Sequence, residues 1–224
     1  MKKLAGMIIG LFTITAFSQD IIDKEVGDFN QIKVYDLIEV NLIESDQNRI
    51  FIKGENVYDI KWVNKDGVLK LKMQLEKKFS GEGTLIEVYY RHLDLVDSNE
   101  GAKIVFNEMI KQDEIELRAQ EGGKIKAGID VDFARIKAVT GGVVEASGMA
   151  TKQTINLNTG GMFKGQELKT ERSSVKISAG GEAELHASAK VEIDVTAGGD
   201  VYVYGNPEVV EKNTFAGGRV HFRD

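Results

Sequence analysis

The chain has 224 residues with 24 Gly, one Pro and no Cys, and 29 basic against 35 acidic side chains give a net charge of −6. These values exclude a disulfide scaffold and a cysteine-ligated metal site, a collagen-like repeat and, with no basic block, a nucleic-acid binder. A Gly-rich globular chain of one or two domains remains.

Residues 1–18 read as a secretory signal peptide. Met1-Lys2-Lys3 is a basic head, Leu4 to Phe17 is apolar apart from Gly6, Gly10 and two Thr, and Ala16-Phe17-Ser18 puts small residues at −3 and −1 of a cut before Gln19. The apolar run is shorter than the roughly 20 residues that span a bilayer, so no membrane span is expected in the mature chain. No Cys follows to carry a lipid anchor, and loss of Lys2 and Lys3 takes the charge from −6 to −8. Export to the periplasm, the outer-membrane surface or the medium is expected, and the absence of Cys suits an oxidising compartment.

Residues 19–110 alternate as strands do. Ile32 and Val34, then Ile38, Val40 and Leu42, precede a turn at Ser45–Asn48, and Ile50 and Ile52 follow it. Asn64-Lys65-Asp66-Gly67 is a second turn, before Leu69, Leu71 and Met73. Phe79 to Thr84 is a loop, and Leu85 to Tyr89 a further strand. This half is expected to cap the coil described next or to continue it irregularly, because terminal turns expose strand edges.

Residues 111–224 hold a repeat. Gly pairs fall at Gly122-Gly123, Gly141-Gly142, Gly160-Gly161, Gly180-Gly181, Gly198-Gly199 and Gly217-Gly218, in steps of 19, 19, 20, 18 and 19 residues. Asn99-Glu100-Gly101 looks like a degenerate start of the series. Apolar residues recur at fixed offsets. Before the pairs stand Leu117 and Ala119, Ile136 and Ala138, Ile155 and Leu157, Val175 and Ile177, Ile193 and Val195. After them come Ile125, Val144, Phe163, Ala183, Val201 and Val220. The alternation predicts a strand on each side of a Gly-Gly corner, where the backbone takes φ > 0 or approaches a neighbour closely. Ile129, Val131 and Phe133 mark a weaker third strand in mid-repeat, echoed by Met149 and Leu168 in later copies. The expected fold is all-β: a single-stranded parallel β-helix with turns of about 19 residues, capped by the N-terminal β region. Six turns at the ~4.8 Å strand spacing would rise about 29 Å. The general crossover preference predicts a right-handed coil. An antiparallel sandwich of hairpins would accept the alternation but not the recurrence of the same offsets in one direction.

The run Phe29-Asn30-Gln31-Ile32-Lys33-Val34, then Ile38 to Leu42, then Ser45-Asp46 through Arg49 to Gly54, resembles the opening of the bacterial "putative auto-transporter adhesin, head GIN domain" family, which is also classed as a domain of unknown function. Ile86 to Tyr90 with Leu93 and Leu95 resembles its middle strands. The resemblance covers nearly all of the mature chain. It implies an exported protein of the Bacteroidetes type, a β-helix-like solenoid and an adhesin-like role, and it brings no catalytic residues. Where members often carry Ser-Gly-Gly, this chain has Ser98-Asn99-Glu100-Gly101.

Little in the chain points to catalysis. His92, His186 and His221 lack metal-ligand spacing, and the alternation predicts that the last two face solvent. The Gly corners lack the Lys-Ser/Thr ending of a phosphate loop, and only Gly198-Gly199-Asp200 approaches the calcium nonapeptide, whose period is nine. No Gly-x-Ser-x-Gly turn is present. Outward carboxylate pairs at Asp130/Asp132, Glu182/Glu184 and Glu192/Asp194 could serve acid–base or Ca²⁺ chemistry, and equally suit a solvated strand face. Tyr202 and Tyr204 should both point outward, as candidates for stacking on a sugar or a partner. The expectation is therefore a non-enzyme without cofactor that binds a surface glycan or protein. A carbohydrate-active β-helix enzyme and a scaffold self-assembling through the C-terminal edge are the alternatives.

Overall fold

The computed structural model describes residues 21–54 and 57–224, so the expected signal peptide lies outside the described residues. Nineteen strands form one hydrogen-bonded system. The first seven are β1 (Ile21–Glu25), β2 (Gln31–Val34), β3 (Glu39–Glu44), β4 (Arg49–Gly54), β5 (Ile60–Lys65), β6 (Val68–Met73) and β7 (Thr84–Tyr90). Next come β8 (Leu95–Ser98), β9 (Lys103–Phe106), β10 (Ile110–Gln120), β11 (Lys124–Val139), β12 (Val143–Asn158) and β13 (Gly161–Gly165). The last six are β14 (Leu168–Ile177), β15 (Gly181–His186), β16 (Lys190–Val195), β17 (Gly199–Tyr204), β18 (Val209–Thr214) and β19 (Gly218–Phe222).

From β8 onward the chain is a parallel β-solenoid of about seven turns of ~19 residues. Each turn stacks in register on the one before: Ile125 pairs with Val144, Val144 with Phe163, Phe163 with Ala183, and Ala183 with Val201. The predicted inward offsets form a continuous core, with Leu117, Ile136, Ile155, Val175 and Ile193 buried in one column. Each such side chain contributes ~1.5–3 kcal/mol on burial, and does so only because the next rung covers it.

The two glycines of a corner serve different needs. Thr140 (φ 50°) and Gly141 (φ 72°) occupy the left-handed region, and the Gly142 amide donates to Val139 O at 3.0 Å, closing a turn of type I′ character. Gly142 has ordinary φ, but a Cβ there would stand 2.1 Å from the Ala119 carbonyl oxygen of the rung below. Gly123 and Gly161 meet the same obstacle at Ser98 and Ala138. Asn99-Glu100-Gly101-Ala102 is the same turn, closed by Ala102 N to Asn99 O at 3.0 Å.

The mid-repeat strand exists where β10, β11, β12 and β14 run past their corners, pairing Ile110 with Ile129, Ile129 with Gly148, and Gly148 with Leu168. Met149 lies on this strand as expected, but on its outer face. Gly148 and Ala150 point inward and Met149 is exposed, because pleat parity makes a one-residue offset a change of side. The column ends after β14: β15 reaches β16 through Ala187–Ala189 alone, so the coil narrows there.

The N-terminal part joins the coil out of chain order. Gln31 pairs with both Val68 and Leu95, and Glu39 with both Leu85 and Lys103. The β2–β3 rung thus lies between the β6–β7 rung and the β8–β9 rung. Antiparallel strands then close this end: β5 beside β6, and β4 then β1 beside β7. At the other end, Lys212 and Thr214 take the inward places that Ile193 and Val195 hold one rung earlier. A charge at an inward position discourages further strand addition.

Gly142→Ala is expected to cost more than about 2 kcal/mol, as a backbone clash, and Gly141→Ala about 1 kcal/mol, as a φ penalty. Urea unfolding of the two variants checks this order, and the reverse order would refute the division of roles.

Candidate functional site

Parallel in-register stacking turns every outward position into a row running along the coil. One row reads Lys126, Glu145, Lys164, Glu184, Tyr202, His221, with Lys126 Nζ 2.7 Å from Glu145. The carboxylate pairs lie on different columns: Glu182/Glu184 on β15, Glu192/Asp194 on β16, and Asp130/Asp132 on the mid-repeat stretch of β11. Glu192 is bonded to Lys190 (2.8 Å), which holds its carboxyl below the usual range. No two pairs converge, so the acid–base arrangement that the sequence offered is not assembled. Among the described residues no three His, Asp or Glu side chains gather closely enough to hold a metal ion.

Tyr202 and Tyr204 project from β17 while Val201 and Val203 are buried. Both tyrosines are half-buried. The Tyr202 ring stacks on His221 (centroids 4.9 Å, 17°), with the Arg223 guanidinium 5.5 Å from its centroid. Asp200 on the same strand binds Arg219 at 2.7 Å and His221 at 3.4 Å, and the Arg219 hydrogen bond holds the Asp200 carboxyl below its usual range. One Tyr202 face is therefore engaged within the molecule. Tyr204 pairs in register with His186 and has no ring partner among the described residues.

His186 marks the edge of a groove of about 740 Å³. The groove runs along the mid-repeat row, where Gln112, Val131, Ala150, Thr170 and Ser188 stack on successive rungs. Asp113, Asp130, Asp132 and Glu171 make it acidic, Lys169 is its cation, and Met149 adds exposed apolar surface. Beneath it, the His186 carbonyl accepts hydrogen bonds from Thr170 Oγ1, Ser173 Oγ (3.2 Å) and Gln153 Nε2 (3.5 Å). Gln153, Thr170 and Ser173 are all buried. His186 points outward as the alternation predicts, but it is half-buried. Its ring lies against Gly205, where a Cβ would stand 2.5 Å from Cε1, and Nδ1 is buried without a partner among the described residues. Burial first, and Lys169 second, push its pKa below the ordinary 6.5. The site thus offers carboxylates to accept hydrogen bonds from hydroxyls, a neutral imidazole and, one strand away, the Tyr204 ring. Sequence reasoning marked Tyr204, Asp130 and Asp132 but missed the groove, whose lining comes from several successive rungs.

These features define a capped, single-chain parallel β-solenoid with an open polar groove on its outer surface. The chain belongs to the family described as "putative auto-transporter adhesin, head GIN domain", whose model matches residues 28–207. A crystal structure of a putative adhesin from Bacteroides fragilis superposes with TM-score 0.84 at 15% identity, covering 93% of this chain and 98% of that one. A putative lipid binding protein from Parabacteroides distasonis gives 0.69 at 15% identity over 93% and 98%. A putative adhesin from Parabacteroides merdae gives 0.68 at 17% identity over 93% and 97%. At these identities the likeness is one of fold. No curated protein matches the chain.

Because folding lowers the His186 pKa, the unfolded chain takes up the proton first as pH falls. Its contribution is full above the unfolded value of 6.5 and is lost on acidification towards the lower folded value. The urea midpoint is expected to fall between pH 7 and pH 5, and to fall less in His186→Gln. An equal fall in both proteins would show that the ring is solvated.

Proposed function

We propose that this chain is an exported, non-enzymatic adhesive protein that binds a glycan of the cell envelope or of a neighbouring surface at the groove beside β17. The observation that carries the reading is the groove itself. It brings carboxylates, a lysine and an imidazole to one face, with the Tyr204 ring one strand away, a composition suited to holding hydroxyl-rich ligands. The signal-like residues 1–18, the absence of Cys and the family description support export and adhesion. Among the described residues no helix is long and apolar enough to cross a membrane.

A glycan array probed with the chain from Gln19 onward tests this. Specific binding is expected, weakened at least tenfold in a Tyr204→Ala/Asp132→Ala variant, with no cleavage of the bound glycan. Turnover of a bound glycan at enzymatic rates, or binding indifferent to the double variant, would refute it.

Self-assembly through the C-terminal edge is a second reading, favoured by the exposed side chains of Phe215 and Phe222 beside the unpaired edges of β18 and β19. Inward Lys212 works against it. Sedimentation velocity is expected to show stronger self-association in Lys212→Ile than in the native chain. Equal monomer content in the two would remove this reading.

A further inference from the structure

A second cleft, of about 450 Å³, lies at the capped end of the coil, far along the stack from β17. Its chemistry is opposite to that of the acidic groove. Lys61, Lys70, Lys72 and Lys78 line it, with Asp36 and Glu100 as its acids. Lys61 and Lys72 are direct partners across the β5–β6 hairpin, and Lys70 stands opposite Lys33 of β2. Like charges at facing positions destabilise a sheet, and here they persist in a chain whose net charge is negative. Lys33 is neutralised by Asp97 at 3.4 Å, and Lys78 by Glu100 at 3.2 Å. Lys61, Lys70 and Lys72 have no ion-pair partner among the described residues. Three amino groups thus line one concavity without an ion-pair partner among the described residues, its acid Glu100 being taken by Lys78.

Asp36 supplies the second requirement. It is 2% exposed. Oδ2 accepts the Met73 amide at 3.1 Å, while Oδ1 has no donor among the described residues. No lysine amino group lies within ion-pair distance of it. A buried carboxylate oxygen without a donor is costly, and Asp36 cannot turn away to solvent. It sits in a corner with Leu37 (φ 60° and 62°), fixed by Ile38 N to Tyr35 O, Leu37 N to Glu100 O and Gly81 N to Asp36 O at 3.2, 3.0 and 3.2 Å. The cleft therefore asks for an anionic group at its lysines and a hydrogen-bond donor at its floor.

We propose that this cleft binds a small anionic polyol. A phosphate or carboxylate group sits among Lys61, Lys70 and Lys72, and a neighbouring hydroxyl donates to Asp36 Oδ1. Lysines hold such groups as point charges, and the volume suits a single sugar or headgroup. A free sugar acid, a sugar phosphate and the headgroup of a lipid all present this same chemistry.

Calorimetric titration of the purified chain with glucose 6-phosphate, inorganic phosphate and glucose distinguishes the site from simple attraction of anions to lysines. Glucose 6-phosphate is expected to bind at least about tenfold more tightly than inorganic phosphate, and glucose not to bind at the same concentrations. Lys61→Ala/Lys72→Ala, both exposed and outside the core, should weaken glucose 6-phosphate at least tenfold. Asp36→Asn should bring it down to the level of inorganic phosphate, and if that variant fails to fold the lysine variant decides. Sedimentation with phosphatidylcholine vesicles, with and without 30% phosphatidylglycerol, provides the lipid arm. Binding to the anionic vesicles alone, abolished by the lysine variant, would assign the site to a lipid headgroup. Equal affinity for inorganic phosphate and glucose 6-phosphate, no binding to any anionic probe, or binding indifferent to the lysine variant would overturn the proposal.

Discussion

The close stacking of one backbone turn on the next is the constraint on which this molecule depends. Parallel rungs about 4.8 Å apart bring the Ala119 carbonyl against the Gly142 α-carbon, and no side chain fits between them. Every inward residue is then covered above and below, which is what gives its burial value. The same constraint is met differently along the coil. The corners at Gly180-Gly181 and Gly198-Gly199 place both glycines at positive φ, whereas Thr159-Gly160 and Glu121-Gly122 place one non-glycine residue there. Volume is balanced across neighbours as well: the Phe163 ring fills the space that a side chain at Gly165 would need.

The acidic groove runs along the mid-repeat row from Gln112 on β10 to Ser188 just after β15. The basic cleft appears where the β2–β3 rung is threaded between rungs that come later in sequence, bringing Asp36 beneath the β5–β6 hairpin. Elsewhere the outward rows largely neutralise themselves, as in Lys126–Glu145 and Lys103–Glu39. The groove and the cleft consequently carry opposite charge.

Much of the fold is legible in the chain because a repeat multiplies its own signal. Val144, Phe163, Ala183 and Val201 share one offset from their glycine pairs, and the structure places them in one column. Met149 was legible only to within one residue, since its copy lacks the flanking apolar neighbours that fix parity. The Asp36–Leu37 corner carries no glycine, so nothing in the chain distinguishes it from the middle of a strand. Tyr204 and Asp130 could be marked as outward, and Tyr204 shares with His186 one offset from their glycine pairs, but that Asp130 and His186 line one groove could not be read, because they stand at different offsets.

The sequence by itself determined the period, the parallel stacking, the buried face and the corners, because each of these follows from local spacing repeated many times. Tertiary structure alone decided the rung order at the capped end and the contents of both clefts. Lys61, Lys72 and Asp36 come from separate segments, and the half-buried His186 ring lies against Gly205. Such juxtapositions depend on which rung lies beside which, and spacing along the chain does not encode that when a rung is inserted out of order.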